Sequence, residues 1–243
     1  MSAKTTTYAA PALEKGFNVI ELLANEPDGL SISEIASGLG LSISEIFRVI
    51  MVMERRRWLK KRSNDKYCVT PRILALAFKA TPAEELSAVA ASFMRDFSLA
   101  TDQSCHLVIP NGDKGLLILR QQNPGPNGFY VRIGTELDLE TTCSGRVLLA
   151  FSRKYDDKAA DDSAKLSPAL TAIRQRGYER MESSRTLGVT DVSFPIFDFH
   201  GDIAAALTMP FLKFIDGTQR MTLDEAQLLL GAAAQKITDE LLA

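Results

Sequence analysis

A turn of small polar residues near the middle of the chain has the pattern of an anion-binding site. The sequence there reads Thr141-Thr142-Cys143-Ser144-Gly145, between the end of a predicted strand and the start of a predicted helix. A helix N-terminus presents unpaired backbone N–H groups and the positive end of the helix dipole, and both attract a carboxylate. The hydroxyls of Thr142 and Ser144 can add hydrogen bonds. In the alternative interpretation, Ser144 only caps its helix.

Asp191 and Ser193 lie on a later predicted strand and would bring further polar groups to the same pocket. A carboxylate at position 191 requires a hydroxyl or cationic donor on the bound molecule, or an ion pair with Arg132 or Arg146. The residues of this pocket therefore favour a small acid that also carries a hydroxyl group.

His106 and Tyr130 complete the set of candidates for this pocket. His106 follows Cys105 on a predicted strand, so the two side chains point to opposite faces, and Cys105 is assigned to the core. A surface or core position for His106 is the alternative. Tyr130 alternates with Phe129 in the same way. The predicted ligand-binding residues are His106, Tyr130, Thr142, Cys143, Ser144, Gly145, Asp191 and Ser193.

A catalytic alternative would use Cys143 as a nucleophile. A helix N-terminus can lower a thiol pKa, but the reaction also needs His106 or His200 as a base and a third residue to orient it. The sequence shows no such arrangement, so we predict no enzyme and no catalytic residue. Three scattered cysteines and two histidines are too few for a structural zinc site, and we expect neither a metal nor a cofactor.

A run of cations in the first third of the chain indicates DNA binding. Six of the eight residues from Arg55 to Arg62 are Lys or Arg, as expected for phosphate contacts; a solvated helix end is the alternative. The predicted helix before this run begins with polar side chains, as helix-turn-helix readout requires. The predicted DNA-binding residues are Ser42, Ser44, Glu45, Phe47, Arg48, Arg55, Arg56, Lys61, Arg62 and Lys66.

Two residues at the start of that helix are unusual for a DNA-reading surface. Ile43 is apolar where a polar or basic residue would help near phosphates. Glu45 could accept a hydrogen bond from cytosine N4, or it could close a capping box with Ser42. The Ser-x-x-Glu spacing favours the cap.

The elements around these cations are those of a winged helix-turn-helix. Apolar spacing predicts a helix from Pro11 to about Asn25, a short helix opened by a Ser31–Glu34 capping box, and a longer helix opened at Ser42. Two short strands around a Ser-Asn-Asp turn form a hairpin. The predicted segments are a disordered lead-in over 1–10, the winged helix-turn-helix over 11–70 and a linker helix over 71–81.

Residues 82–243 are predicted to form a separate α+β domain that contains the ligand pocket. Helices are expected over 82–99, 144–152, 167–176 and 222–242, and strands over 104–109, 115–121, 129–134, 191–197 and 203–209. The acidic stretch 156–162 is expected to be mobile. An antiparallel sheet with segregated helices belongs to the α+β class.

The charge distribution also divides the chain. Residues 1–80 contain 12 Lys and Arg against 8 Asp and Glu, whereas residues 81–243 contain 16 against 22. This asymmetry indicates two modules with different partners and argues against a protein that coats nucleic acid along its length. No apolar run predicts a transmembrane helix, and no secretory signal is recognised. We therefore expect a cytoplasmic protein with free thiols and no membrane partner.

Several segments together resemble the IclR-type bacterial transcriptional regulators, in the order typical of that family and over nearly the whole chain. They are LEKGFNVIELLA, LSISEIFRVI, YCVTPRIL, TTCSGRVLLAF and GVTDVSFPIFD. Three motifs depart from the family. Its Lys-Ser-Thr at the start of the recognition helix is Ile43-Ser44-Glu45 here, its Ala-Thr-Ala-x-Gly-Lys motif spans Thr141 to Arg146, and the cysteine of its Gly-Val-x-Cys motif is Asp191.

The resemblance implies a winged-helix DNA reader, a linker helix and a C-terminal GAF- or profilin-like domain with an antiparallel sheet and flanking helices. It also implies homodimers or dimers of dimers on palindromic operators in double-stranded DNA, with small organic acids, including aromatic catabolites, as effectors. Two other functions stay open at this point. One is an enzyme acting on a small acid in the C-terminal pocket, and the other is a protein-interaction module with a degenerate DNA surface.

Overall fold

The computed structural model describes residues 9–80, 83–125, 128–153, 167–214 and 218–243. The internal contacts divide the chain into two compact units, Met1–Thr81 and Pro82–Ala243. Most of the lead-in predicted over 1–10 and all of the acidic stretch predicted over 156–162 lie outside the described residues.

The first unit is a winged helix-turn-helix followed by one more helix. Its elements are α1 (Pro11–Ala24), α2 (Ile32–Gly38), α3 (Ile43–Arg55), β1 (Leu59–Lys61), β2 (Tyr67–Val69) and α4 (Arg72–Ala80). The two strands are antiparallel, with Leu59 opposite Val69. The apolar faces of α1, α2 and α3 meet the hairpin in one core, which includes Val19, Ile35, Ile46, Ile50 and Leu59. This architecture confirms the predicted N-terminal fold.

Capping side chains and one glycine fix the turn between α2 and α3. The Glu34 carboxylate accepts hydrogen bonds from Ser31 N–H at 2.7 Å and from Ser31 Oγ at 2.8 Å, which closes the predicted box. Gly40 has a φ of +65°, which suits glycine and lets the chain reverse before α3. No single helix in the described ranges is long and apolar enough to cross a membrane, and α2 with α3, bent by 116°, passes that test only as a pair.

The second unit is a six-stranded antiparallel sheet with helices on both faces. Its helices are α5 (Ala83–Thr101), α6 (Cys143–Ala150), α7 (Pro168–Arg176) and α8 (Leu223–Leu241). Its strands are β3 (Cys105–Asn111), β4 (Lys114–Gln121), β5 (Glu136–Asp138), β6 (Glu179–Glu182), β7 (Val189–Phe197) and β8 (Ile203–Leu212), in the spatial order β5-β4-β3-β8-β7-β6. The α+β class predicted for this unit is confirmed.

Alternating side chains of the sheet supply two separate cores. Leu107 and Leu207 face α5 and α8 in one core, which also contains Cys105 as predicted. Val108 and Ala206 face the opposite side and pack with Val147 of α6. Successive strand residues point to opposite faces of a sheet. His106 lies in sequence between Cys105 and Leu107 of the α5 core, so its side chain points to the α6 side.

The structure corrects two predicted features of the sheet. The strand predicted over 129–134 is absent, because Gly134 adopts a φ of +85° and the Thr135 N–H bonds back to the Arg132 carbonyl. After this turn, only Glu136–Asp138 of the described segment forms a strand, which pairs with β4. The strand β6 was not predicted, since its sequence is polar and lacks an alternating apolar pattern.

Candidate functional site

The exposed side of α3 carries most of the predicted DNA-reading residues. Ile46, Ile50 and Met53 are buried on one side of this helix. The outward side exposes Ser44, Phe47 and Arg48, together with Ser42 at the N-cap and the apolar Ile43. The structure therefore brings these predicted residues together at the first two turns of the second helix of the helix-turn-helix motif.

Glu45 is held within the first unit and is not free on the reading surface. Its carboxylate accepts hydrogen bonds from Ser42 N–H at 3.0 Å and from Ser42 Oγ at 2.7 Å, and it forms a 3.2 Å ion pair with Lys15 of α1. The backbone bond to Ser42, the Ser42 hydroxyl and Lys15 together lower the pKa of Glu45 to about 2. Of the two roles left open by the sequence, capping is the one that the geometry supports.

The predicted DNA-binding cations of the first unit fall into two groups. Those of the first group interact with other residues of the unit. Lys61 pairs with Asp65 at 2.6 Å across the wing, which raises the pKa of Lys61. The Arg62 guanidinium donates to the Pro27 carbonyl at 3.0 Å. Hydrogen bonds from the Ser31 backbone and hydroxyl lower the pKa of Glu34, and half-buried Lys66 lies close enough to that carboxyl to lower it further.

The second group of cations is open to solvent. Arg48, Arg55 and Arg56 are exposed on or just after α3, and none of them has an ion-pair partner in the described part of the chain. These three predicted residues are therefore available to phosphate groups, as are the exposed Arg57 and Lys60.

The second unit contains a cavity of about 350 Å³ on the α6 side of the sheet. Its wall combines strands β3, β7 and β8, the start of α6, the segment before β5 and the loop between β6 and β7. Six of the eight predicted ligand-binding residues line it: His106, Tyr130, Thr142, Cys143, Ser144 and Asp191. Residues from four separate parts of the chain are thus brought to one cavity.

The start of α6 leaves polar groups directed at this cavity. Thr142 is the N-cap, since its Oγ1 accepts from Gly145 N–H at 3.2 Å and donates to the Asp138 carbonyl at 2.5 Å. The alternative that Ser144 caps the helix is therefore wrong. Ser144 is buried and lines the cavity, and its hydroxyl has no hydrogen-bond partner among the described residues. The N–H groups of Cys143 and Ser144 precede the first intrahelical bond, from Arg146 N–H to the Thr142 carbonyl.

Gly145 and Ser193 do not line the cavity, so the prediction that they contact a ligand directly is corrected. A Cβ atom on Gly145 would overlap the Asp138 carbonyl oxygen and Leu139, which means that glycine is needed for close packing behind the wall. Ser193 is fully buried and shares a 2.8 Å hydrogen bond with Thr208, a residue that does line the cavity.

Two titratable side chains in the cavity have strongly shifted pKa values. Burial lowers the pKa of His106 to about 4, so its imidazole is neutral at neutral pH. No hydrogen bond joins the His106 imidazole to another described residue, although the residue is 94% buried. Burial raises the pKa of Asp191 to about 6, against the opposing effect of a hydrogen bond from Ser183.

The ion pairs suggested for Asp191 are not observed in the described residues. Arg146 instead bonds to the buried carboxylate of Glu179 at 3.1 Å, and Arg176 bonds to the same carboxylate at 2.8 Å. Arg132 and Arg185 line the cavity from its two loops. Asp191 therefore presents a carboxylate to the cavity without an internal cation beside it.

The chemistry of Cys143 is that of a neutral hydrogen-bond donor. Its Sγ donates to the Glu179 and Asp191 carbonyls, each at 3.5 Å. Burial, aided by the nearby Asp191 and Glu179 carboxylates, raises the pKa of this thiol well above its usual range. The lowered pKa required of a nucleophile is therefore absent. In the described parts of the chain, no group of three His, Cys, Asp or Glu side chains could hold a metal ion.

Sequence reasoning missed part of the cavity wall. The loop between β6 and β7 contributes Ser183, Ser184, Arg185 and Thr186, and strand β8 contributes Thr208 and Pro210. The polar, hydroxyl-rich composition of residues 183–186 is the signal that was available. It was missed because the preceding strand was not recognised.

Both units match known families of bacterial regulators. The IclR helix-turn-helix domain matches residues 12–63, and the bacterial transcriptional regulator IclR C-terminal domain matches residues 78–239. The chain is 25% identical over 244 residues to the HTH-type transcriptional regulator KdgR of Dickeya chrysanthemi, covering 93% of this chain and 78% of that protein. It is 27% identical over 222 residues to the HTH-type transcriptional regulator BhcR of Paracoccus denitrificans, covering 84% and 79%.

Solved structures show the same fold. An IclR homologue from Microbacterium hydrocarbonoxydans in complex with 4-hydroxybenzoate superimposes with a TM-score of 0.76 and 20% identity, over 95% of this chain and 98% of the homologue. The IclR protein of Thermotoga maritima superimposes with a TM-score of 0.68 and 22% identity, over 95% and 98%. Together with the two domain matches, the winged helix and the sheet with its cavity show that this chain belongs to the IclR family of DNA-binding transcriptional regulators.

Proposed function

We propose that this regulator responds to a small organic acid, in the first instance a hydroxylated aromatic acid, bound in the cavity beside α6. The observation that carries the proposal is the pair of buried, unpartnered polar side chains there. Ser144 and His106 are 98% and 94% buried, both line the cavity, and neither has a hydrogen-bond partner among the described residues. The polar atoms of these side chains reach the cavity, where a ligand or solvent can complete their hydrogen bonds.

The positions of these groups suit a carboxylate. The Ser144 hydroxyl and the first-turn N–H groups of α6 are donors, and the dipole of α6 places partial positive charge at the same end. Neutral His106 can donate one further hydrogen bond. Arg132 and Arg185 add positive charge from the two loops. A carboxylate at the α6 terminus would thus be met by donors, while apolar wall residues such as Phe129 and Leu137 contact the body of the ligand.

The first unit supports the DNA-binding half of the proposal. Arg48 lies at the exposed start of α3, the element that reads bases in helix-turn-helix proteins, and Arg55 and Arg56 are exposed at the C-terminal end of that helix. We propose that the regulator acts in the cytoplasm as a homodimer or dimer of dimers on a palindromic operator. A ligand alters such a protein by binding one of its conformations more tightly than another, so effector binding should change operator affinity.

Thermal shift and calorimetric titration of the full chain test the ligand. The first probe is 4-hydroxybenzoate, because it is bound in the similar structure from Microbacterium hydrocarbonoxydans; a panel of hydroxylated and unsubstituted small acids follows. We expect at least one acid to raise the melting temperature by mass action, and Ser144→Ala to weaken that acid's binding.

A matched control distinguishes the loss of a ligand contact in the cavity from the general effect of removing a serine. Ser92→Ala removes an exposed serine of α5, on the opposite face of the sheet, and should leave acid binding unchanged. Equal binding by Ser144→Ala and the native chain would contradict the placement of the carboxylate at α6. Failure of every acid in the panel to bind would contradict the ligand class.

A further inference from the structure

Two apolar side chains are exposed at the start of α3. DNA binding by charge alone does not explain why apolar residues occupy these positions. Ile43 is 52% exposed and Phe47 is 47% exposed. They are four residues apart, so their side chains lie one above the other on the same face of the helix. Large apolar side chains normally gain free energy by leaving water. Here they form a small apolar stripe on the surface that faces outward.

The helix geometry sets this stripe beside the cationic reading surface. At 3.6 residues per turn, Ser44 and Arg48 form the adjacent exposed stripe. Glu45 lies on the other flank, where its carboxylate is held by Ser42 and Lys15. The acidic group is thus drawn toward α1, while Ile43 and Phe47 remain available to a partner that approaches Arg48.

The charge of the surroundings identifies the partner as DNA. Arg48 is exposed next to the stripe, Arg55 and Arg56 are exposed at the C-terminal end of α3, and all three attract a polyanion. Within the major groove of DNA, the apolar group that base edges offer is the C5-methyl group of thymine, and Phe is among the side chains that contact it. An apolar stripe beside Arg48, on a helix that carries further arginines at its end, is therefore complementary to a groove that contains thymine methyl groups.

We propose that Ile43 and Phe47 read thymine methyl groups, so that the operator half-site of this regulator requires thymine at the base positions facing the first two turns of α3. The inference rests on the DNA-binding function and on α3 as the reading helix. It assigns sequence specificity to two apolar side chains, whereas Arg48, Arg55 and Arg56 supply affinity that depends less on sequence.

The test begins with selection of duplexes from a random library by the full-length protein at low salt. Each thymine of the selected half-site is then replaced singly by deoxyuridine, which removes only the methyl group. One or two replacements should weaken binding of the native protein by about fourfold each, the value for one buried methyl group. Ile43→Ala and Phe47→Ala should bind the thymine duplex more weakly and show no further loss on the matching deoxyuridine duplex.

Val52→Ala is the matched control. Val52 is an apolar residue of the same helix that is 44% exposed, but it lies two turns further along. This variant should retain the full sensitivity to deoxyuridine. Because the deoxyuridine series uses the native protein, the test does not depend on the folding of any variant.

The outcomes separate this inference from the function on which it rests. Tight selection of duplexes that tolerate deoxyuridine at every position would overturn thymine readout and leave DNA binding intact. Equal loss of deoxyuridine sensitivity in Val52→Ala would also overturn it. Failure to select any duplex at low salt would contradict DNA binding by this surface as well.

Discussion

Asp191 and His106 should make opposite contributions to the pH dependence of folding. Both line the cavity, and burial moves their pKa values in opposite directions, to about 6 for Asp191 from 3.8 and to about 4 for His106 from 6.5. One pKa unit between the folded and unfolded states corresponds to about 1.4 kcal/mol. Each residue can therefore change the free energy of unfolding by up to about 3 kcal/mol, an upper limit for Asp191 because solvent reaches the cavity.

The two effects have opposite signs in overlapping pH ranges. Folding raises the pKa of Asp191, so its contribution is fully present below pH 3.8 and is lost as the pH rises through 6. Folding lowers the pKa of His106, so its contribution is present above pH 6.5 and is lost as the pH falls toward 4. In the native chain these trends offset one another between about pH 4 and 6, and substitution of either residue should reveal the other.

Urea unfolding across this pH range, followed by circular dichroism, measures the effect. Asp191→Asn should be more stable than the native chain at pH 8, by up to about 3 kcal/mol, and should lose stability as the pH falls from 6.5 to 4. His106→Gln should show the reverse trend, with stability falling as the pH rises from 3.8 to 6. Trp58 provides an internal control, because this single tryptophan lies in the first unit and its fluorescence should not report the change.

Parallel pH profiles for Asp191→Asn and the native chain would refute the reasoning. They would mean that the Asp191 carboxyl is as well solvated in the folded state as in the unfolded state, and hence that it does not face a desolvated cavity.

Three further predictions concern other parts of the chain. Operator affinity should fall steeply as the salt concentration rises. Arg55→Ala and Arg56→Ala should each reduce the slope of log affinity against log salt concentration by about one. An unchanged slope in both variants would show that these residues do not contact phosphates. Glu45→Ala should lower the stability of the first unit, measured by Trp58 fluorescence, without altering the base sequence selected, since its carboxylate is occupied by Ser42 and Lys15; a changed consensus would show that Glu45 reads a base. Gly145→Ala should destabilise the second unit by about 1–3 kcal/mol through overpacking, whereas Gly16→Ala, whose added Cβ would lie 3.9 Å from its nearest neighbours, should be tolerated.

The winged helix was predictable because its signals are local. Capping boxes at Ser31 and Ser42 mark two helix starts, and the apolar spacing within each helix identifies the side that packs. The same locality explains why Glu45 could be interpreted before its contacts were known. Its ion pair with Lys15, in contrast, joins residues 30 positions apart and could not be read from spacing.

The cavity was predictable only in part, because its wall depends on non-local pairing. The α6 terminus was found from small polar residues next to predicted elements, and Asp191 from its position on a predicted strand. Ser193 was wrongly predicted to line the cavity. Alternation along β7 predicts which of its residues share a face of the sheet, but it does not predict that the Ser193 hydroxyl bonds to Thr208 of the neighbouring strand β8. The segment 129–134 was misread as a strand because a turn at Gly134 interrupts an otherwise suitable apolar pattern.

The most direct test of the central claim is the operator affinity of the full-length protein with and without its acid. Fluorescence anisotropy with a duplex from the selection experiment would be measured at fixed salt, adding the acid that gives the largest thermal shift. We predict that the acid changes the dissociation constant of the native protein for DNA. Without acid, Ser144→Ala should bind the same DNA with native affinity, and the acid concentration that affects the native protein should leave the affinity of this variant unchanged. An acid that binds in the cavity yet leaves operator affinity unchanged would contradict the account.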